Sequence, residues 1–323
     1  MAYEQERQVA IQAATLAAQL CQQVRQTMVP EAIQKQDKSP VTVADFGSQA
    51  LICKALAEAF PADAVVAEED AAELRKPAMA AACEQVAHHV QQLVSAATPD
   101  QVLGWIDHGN GEVAARYWTL DPIDGTKGFL RQDQYAIALA LIENGDIKVG
   151  VLACPALSFD GGEPGLLLVA VRGEGAVMAP LSGGDFQPLQ VAKDSDRDRI
   201  RFVESVESGH GNQSQQGAIA AAVGITEPSM RMDSQAKYAA VAAGQAALYL
   251  RLPSPKSPDY REKIWDHAAG VLIVEEAGGK VTDMHGTTLD FTQARLVNNR
   301  GVVVSNGTLH QPVLDALQQS VPA

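Results

Sequence analysis

The sequence predicts a layered α/β protein built as two domains, and three observations lead there. The chain has 323 residues, 46% of them hydrophobic, enough for a large core and long for one domain. Two hairpin signals stand out. Glu143-Asn144-Gly145-Asp146 separates the apolar runs 135–142 and 147–153, and Gly173-Glu174-Gly175 separates 166–171 from 176–178. Asn-Gly and Gly-rich pairs supply the positive φ that tight hairpins need. Helical stripes alternate with these strands, and that mixture favours stacked sheets and helices over a purely parallel fold.

The elements follow in order. Val9, Ala13, Leu16, Leu20 and Val24 recur at three- and four-residue steps and predict an opening helix with one apolar stripe. Pro30 helps to stop it. A polar segment, 35–40, leads to Thr42 and Asp45 and to a second helix from about 45 to 60, ended by Pro61-Ala62-Asp63. Residues 64–67 read as a short buried strand delivering Glu68, Glu69 and Asp70 at its end. The Ala/Gln-rich stretch 71–103 reads as helical, and 107–111 as a loop. A strand at 116–120 runs into the turn Asp121-Pro122-Ile123-Asp124-Gly125-Thr126. Pro155 closes the first hairpin unit, so the expected domains are 1–156 (α+β) and 157–323 (α/β). In the second, strands are expected at 200–206 and 247–252. A helix at 264–277 capped by Gly278, a strand at 302–305 and a helix at 309–319 complete it.

Composition narrows the function. With 25 Lys+Arg against 39 Asp+Glu the net charge is −14, which argues against nucleic-acid or membrane-surface binding. A small anionic substrate then needs cations gathered locally. The four cysteines, Cys21, Cys53, Cys83 and Cys154, have no CxxC spacing and read as reduced thiols. No basic-then-apolar signal opens the sequence, and no apolar run approaches the ~20 residues of a membrane helix. A cytoplasmic location is the expectation, with a monomer or weak homo-oligomer as the assembly.

The turn at 121–126 carries the chemistry. Two carboxylates three residues apart across a Pro/Gly turn can converge on a hard divalent cation. The backbone N–H groups of Gly125 and Thr126 beyond them suit a phosphate. Asp45, Glu68 and Asp266 stand at other predicted element ends. Any one of them alone is more often a solvated surface acid; together they suit a metal-assisted phosphoryl site.

Asp121-Pro-Ile-Asp-Gly-Thr126 resembles the first signature of the inositol monophosphatase superfamily of Mg²⁺-dependent, lithium-sensitive phosphatases. Trp265-Asp266-His267-Ala268-Ala269-Gly270, followed by Glu276-Ala277-Gly278-Gly279, resembles its second, and Ala67-Glu68-Glu69-Asp70 its strand-end acidic motif. The resemblance spans nearly the whole chain and implies a two-domain αβαβα sandwich. Residues 39–45, Asp124 to Arg131, Ser208-Gly209-His210, 233–238, 249–253 and 262–267 resemble the 3′(2′),5′-bisphosphate nucleotidase branch. The stretch 209–214 departs from that branch's pattern.

That branch implies hydrolysis of the 3′-phosphate of adenosine 3′,5′-bisphosphate (PAP), and extends to its 5′-phosphosulfate relative (PAPS) and the 2′,5′ isomer of PAP. This would remove a by-product of sulfur assimilation. By the same resemblance two to three Mg²⁺ ions are held by Glu68, Asp121, the Ile123 carbonyl, Asp124 and Asp266. Thr126, backed by Asp45, relays a proton from the attacking water. Gly125 and Thr126 hold the phosphate; His210, Ser234, Lys237 and Arg251 surround the nucleotide. Ser234 and Lys237, three apart, are expected on one helix face. The competing readings are an inositol-phosphate phosphatase or fructose 1,6-bisphosphatase on the same scaffold, and a catalytically silent nucleotide sensor. Lone Lys and Arg residues are ordinarily surface charges. His267 is expected to be a packed, hydrogen-bonded histidine, and Asp194-Ser-Asp-Arg-Asp198 a polar loop rather than a calcium site, since Arg199 replaces the turn glycine.

Overall fold

A computed structural model describes residues 2–27, 32–34, 40–207 and 212–320. Its elements in chain order are α1 (Glu4–Thr27), β1 (Ile33–Gln34), β2 (Pro40–Val41), α2 (Val43–Ala59), β3 (Ala64–Ala67), α3 (Ala80–Leu93), α4 (Pro99–Asp107), β4 (Arg116–Asp124), α5 (Thr126–Leu130), β5 (Ala136–Glu143), β6 (Asp146–Cys154), β7 (Leu166–Val171), β8 (Gly175–Pro180) and β9 (Gln187–Pro188). Then come β10 (Phe202–Ser205), α6 (Gln213–Ala222), β11 (Met230–Met232), α7 (Ala236–Ala242), β12 (Leu248–Arg251), α8 (Ala268–Glu276), β13 (Lys280–Thr282), β14 (Val302–Ser305) and α9 (His310–Ser320).

Two large sheets organise these elements. The first has seven strands in the order β3-β4-β5-β6-β7-β8-β9, parallel at β3/β4 and antiparallel elsewhere. The second has five in the order β11-β10-β12-β14-β13. Three apolar clusters define the layers. One joins α1, α2, α3 and α4 to one face of the large sheet. A second lies between the sheets and contains α7 and α8. The third joins the far face of the small sheet to α6 and α9. Helices, sheet, helices, sheet, helices is the αβαβα sandwich that the sequence implied. The large sheet continues to Pro188, well past the expected boundary at 156.

The large sheet's two faces differ in bulk. On β5, Ile137, Leu139 and Leu141 face α1 and α2, while Ala136, Ala138 and Ala140 face inward. Gly150 pairs with Ala140. These small residues form a shelf on which α8 lies close: a Cβ on Gly150 would stand 3.0 Å from the Ala269 carbonyl oxygen. α1 buries mostly alanines (Ala10, Ala13, Ala14, Ala17, Ala18) beside Leu20, Cys21 and Val24, while Val9 and Leu16 of the expected stripe are half-buried.

Differences from expectation have local causes. The 71–103 stretch splits because Pro99 starts a new helix behind the Thr98 cap. The expected helix over 264–277 is a 3₁₀ turn, Ile264–Asp266, then α8, broken at His267 (φ −137°). Strand β4 extends four residues further than expected. α6, β9, β11, β13 and the β1/β2 pair carry weak patterns and were not anticipated. Gly150→Val is expected to destabilise the protein by about 1–3 kcal/mol, because overpacking forces α8 off the sheet; urea unfolding checks this.

Candidate active site

The site begins with an irregularity in β4. Asp121 pairs with Ala138 and Asp124 with Ala136, so β4 advances three residues while β5 advances two. In a regular strand, residues three apart point to opposite faces. The extra residue of a β-bulge reverses that alternation and turns Asp121 and Asp124 into one cleft. Pro122 favours the bulge because it has no N–H for the ladder. The Ser48 hydroxyl, donating to the Pro122 carbonyl at 2.9 Å, fixes its back.

Beyond the bulge, Gly125 adopts left-handed φ +87° and starts the short helix α5. Thr126 therefore folds back, its Oγ1 lying 3.2 Å from the Ile123 carbonyl oxygen and 3.3 Å from Asp45 Oδ1. Asp45 is buried and held from behind: its Oδ2 accepts from Thr42 N–H at 2.8 Å and from Thr42 Oγ1 at 2.6 Å. This capping box starts α2. Glu68 follows the end of β3, its N–H donating to the Leu120 carbonyl at 3.2 Å. Asp266 is presented by the 3₁₀ turn.

A cavity of about 410 Å³ collects Glu68, Asp121, Ile123, Asp124, Gly125, Thr126, Ser234, Lys237, Arg251 and Asp266. Asp45 stands behind Thr126. His210 lies outside the described residues. Ser234 corrects the helical expectation. It precedes α7 rather than belonging to it, at φ +65°, because the chain turns there against Gly125. A Cβ on Gly125 would come within 2.9 Å of Ser234 Cβ.

The electrostatics are severe. Burial first, then the charges of Glu68, Asp124, Asp266 and Asp45, push the Asp121 carboxyl well above the usual carboxylate range. Burial, then Asp124, Glu262 and Glu68, do the same to Asp266. Asp124 is also raised by burial, though Lys237 and the Gln235 N–H at 2.6 Å oppose this. Asp121 Oδ1 is buried with no hydrogen-bond partner among the described residues. An orphaned oxygen among crowded carboxylates fits a hard divalent cation, which satisfies oxygen donors and cancels their repulsion.

The opposite wall is cationic. Lys237 is buried and its Nζ donates to the Ser234 carbonyl at 2.7 Å; burial, then Arg251, lowers its pKa to about 8. Arg251 Nε donates to Glu262 Oε1 at 3.1 Å. Burial opposes the Glu262 charge, yet His267 and Arg251 hold its carboxyl down to about 2.

Comparison with known proteins now decides the family. The model of the inositol monophosphatase family matches residues 2–322. The chain belongs to that family. It is 42% identical over 350 residues to the 3′(2′),5′-bisphosphate nucleotidase of Emericella nidulans, covering 99% of each chain. It is 43% identical to the Schizosaccharomyces pombe protein of the same name, covering 98% of this chain and 96% of that one. Among solved structures, extragenic suppressor protein suhB from Bartonella henselae shares the fold at TM-score 0.67 and 22% identity, covering 97% and 98%.

Inositol monophosphatase signatures pointed to the acids but not to the residues that place them. Gln235 is buried. It binds Asp124 through its N–H, the Trp265 carbonyl through Nε2 at 2.9 Å and the Gly270 N–H through Oε1 at 3.0 Å. Glu262, Tyr238, Tyr249 and His267 also line the cleft. Nothing in a lone Gln or Glu announces such a role. His267 is the packed, hydrogen-bonded residue expected, its Nδ1 2.7 Å from the Tyr238 hydroxyl.

The raised carboxyls fix a sign. Their contribution to stability is complete below about pH 4, the ordinary carboxylate range, and is lost as pH rises through the raised values. In chelator, melting temperature is therefore expected to fall as pH rises above the ordinary carboxylate range, less steeply in Asp121→Asn. Added Mg²⁺ should restore the wild type at neutral pH but not that variant. A cation response undiminished in Asp121→Asn would contradict the assignment.

Proposed function

We propose that the chain is a Mg²⁺-dependent phosphomonoesterase that converts adenosine 3′,5′-bisphosphate to AMP and phosphate. The observation that carries this is the cleft itself, where a carboxylate cluster faces Lys237 and Arg251 across one cavity. The relatives named as bisphosphate nucleotidases, at 42–43% identity over almost the full chain, support the substrate. Two to three Mg²⁺ ions fit the donors Glu68, Asp121, the Ile123 carbonyl, Asp124 and Asp266. Bound there, they supply Lewis-acid stabilisation of phosphate oxygens and lower the pKa of water.

The chain's own groups do the rest. Thr126 Oγ1 directs its proton toward Asp45 Oδ1 and the Ile123 carbonyl, which leaves a lone pair to accept the attacking water's proton. Asp45, fixed by Thr42, takes the charge. Gly125 and Thr126 offer backbone N–H groups to the phosphate. The P–O3′ bond breaks as the water oxygen adds to phosphorus; the 3′-oxygen leaves with the bonding pair and takes a proton from solvent, and the proton passed to Thr126 and Asp45 returns to solvent. Ser234, Lys237 and Arg251 receive the sugar and the 5′-phosphate; the phosphosulfate relative offers the same groups.

Thr126→Ala is expected to lower kcat on adenosine 3′,5′-bisphosphate by about 10²–10⁴ with Mg²⁺ saturating, the usual worth of positioned proton transfer. Lys237→Ala combined with Arg251→Ala should raise KM for that nucleotide at least about tenfold, each lost charge contact being worth roughly one such factor. Phosphate release measured beside inositol monophosphate decides the substrate class. Preference for the inositol ester in the wild type would transfer the protein to the competing reading.

A further inference from the structure

Arg251 is a long, largely buried side chain between two cavities. It ends β12 and lines both the metal cleft and a neighbouring cavity of about 280 Å³. With space on two sides, its guanidinium needs an anchor to present one edge to a ligand. The anchor is Glu262, whose Oε1 accepts from Arg251 Nε at 3.1 Å.

Glu262 is itself held. Its backbone carbonyl accepts from the Leu296 N–H at 2.9 Å. Its Oε2 faces His267 Nε2 at 3.6 Å, a distance for charge–dipole attraction rather than a good hydrogen bond. The other imidazole nitrogen, Nδ1, lies 2.7 Å from the Tyr238 hydroxyl. With Tyr238 O–H donating to Nδ1, the Nε2–H of His267 is directed at the Glu262 carboxylate, which it approaches at 3.6 Å without closing a hydrogen bond. Tyr238 is fully packed and meets Tyr249 edge to face at 5.4 Å. Gly270 leaves room for its ring, since a Cβ there would strike Tyr238. Tyr238 therefore has little freedom to move, and the order it imposes passes through His267 and Glu262.

We propose that Tyr238, His267 and Glu262 form a relay that positions the Arg251 guanidinium, and through it sets the preference for bisphosphorylated over monophosphorylated nucleosides. The inference rests on the nucleotide reading above, in which Arg251 meets the substrate's second phosphate. Glu262 and Tyr238 are positioning residues: they act on that phosphate through Arg251.

The test compares kcat/KM for adenosine 3′,5′-bisphosphate with that for adenosine 3′-monophosphate, which lacks the second phosphate. Glu262→Gln is expected to lower the bisphosphate-to-monophosphate ratio about tenfold, the scale of one charge-assisted contact. Tyr238→Phe keeps the ring and its packing, and should lower the ratio about threefold in the same direction. In an Arg251→Ala background, Glu262→Gln should change the ratio by less than about twofold, because the residue it positions is gone. A purely structural role predicts equal losses on both substrates and an unchanged ratio. If Arg251→Ala lowers the ratio while neither Glu262→Gln nor Tyr238→Phe does, the relay is overturned and the nucleotide reading stands. Independent, multiplying effects of Arg251→Ala and Glu262→Gln also overturn it. A wild type inactive on the bisphosphate overturns both.

Discussion

Several carboxylates held together away from water are the constraint on which the rest of the site depends. Burial and the neighbouring carboxylates, Glu68 among them, raise the proton affinity of Asp121, Asp124 and Asp266, and like charges in a poorly solvated cleft repel strongly. Side chains free to move would swing apart. The fold prevents this by fixing the backbone beneath each one: a bulge in β4 for the Asp pair, the end of β3 for Glu68, a 3₁₀ turn for Asp266. The stored repulsion becomes affinity when a divalent cation takes its place among the oxygens.

The same rigidity joins the two sheets. The cleft lies where the bulged end of the large sheet meets the segment entering α7, and the contact is close enough to require two left-handed residues, Gly125 and Ser234, face to face. Gln235 bridges Asp124 to the Trp265–Gly270 segment that carries Asp266. Arg131 of the first half pairs with Asp233 and Glu207 of the second. Acid cluster and cationic wall are thus one unit, so a substrate phosphate held by one is presented to the other.

Much of this was legible in the sequence, for identifiable reasons. Hairpin turns and apolar alternation mark β5 to β8 because both are local. The acids of the 121–126 segment stand out because a Pro/Gly turn that presents two carboxylates has no evident packing purpose. The bulge itself was not legible, since it is defined by β5's register and not by β4's residues. The left-handed Ser234 looked helical because its requirement comes from Gly125, more than a hundred residues away. Glu262, Tyr238 and Gln235 lie in segments that carry the resemblance, yet no role could be read for them for the same reason: each acts only through partners brought near by the fold. The break at His267 was hidden because Ile264-Trp265 before it and the apolar run from Ala268 after it fit one helical stretch.

The most direct test of the carboxylate cluster is where a cation sits. Crystals soaked in Mn²⁺, a Mg²⁺ stand-in with usable anomalous scattering, should show density bridging Asp121 and Asp124 with Glu68 or Asp266, within about 2.0–2.3 Å of their oxygens. Density confined to Glu262 and His267, or none in the cleft at a concentration that supports catalysis, would contradict the assignment of the bulge as a metal-binding device.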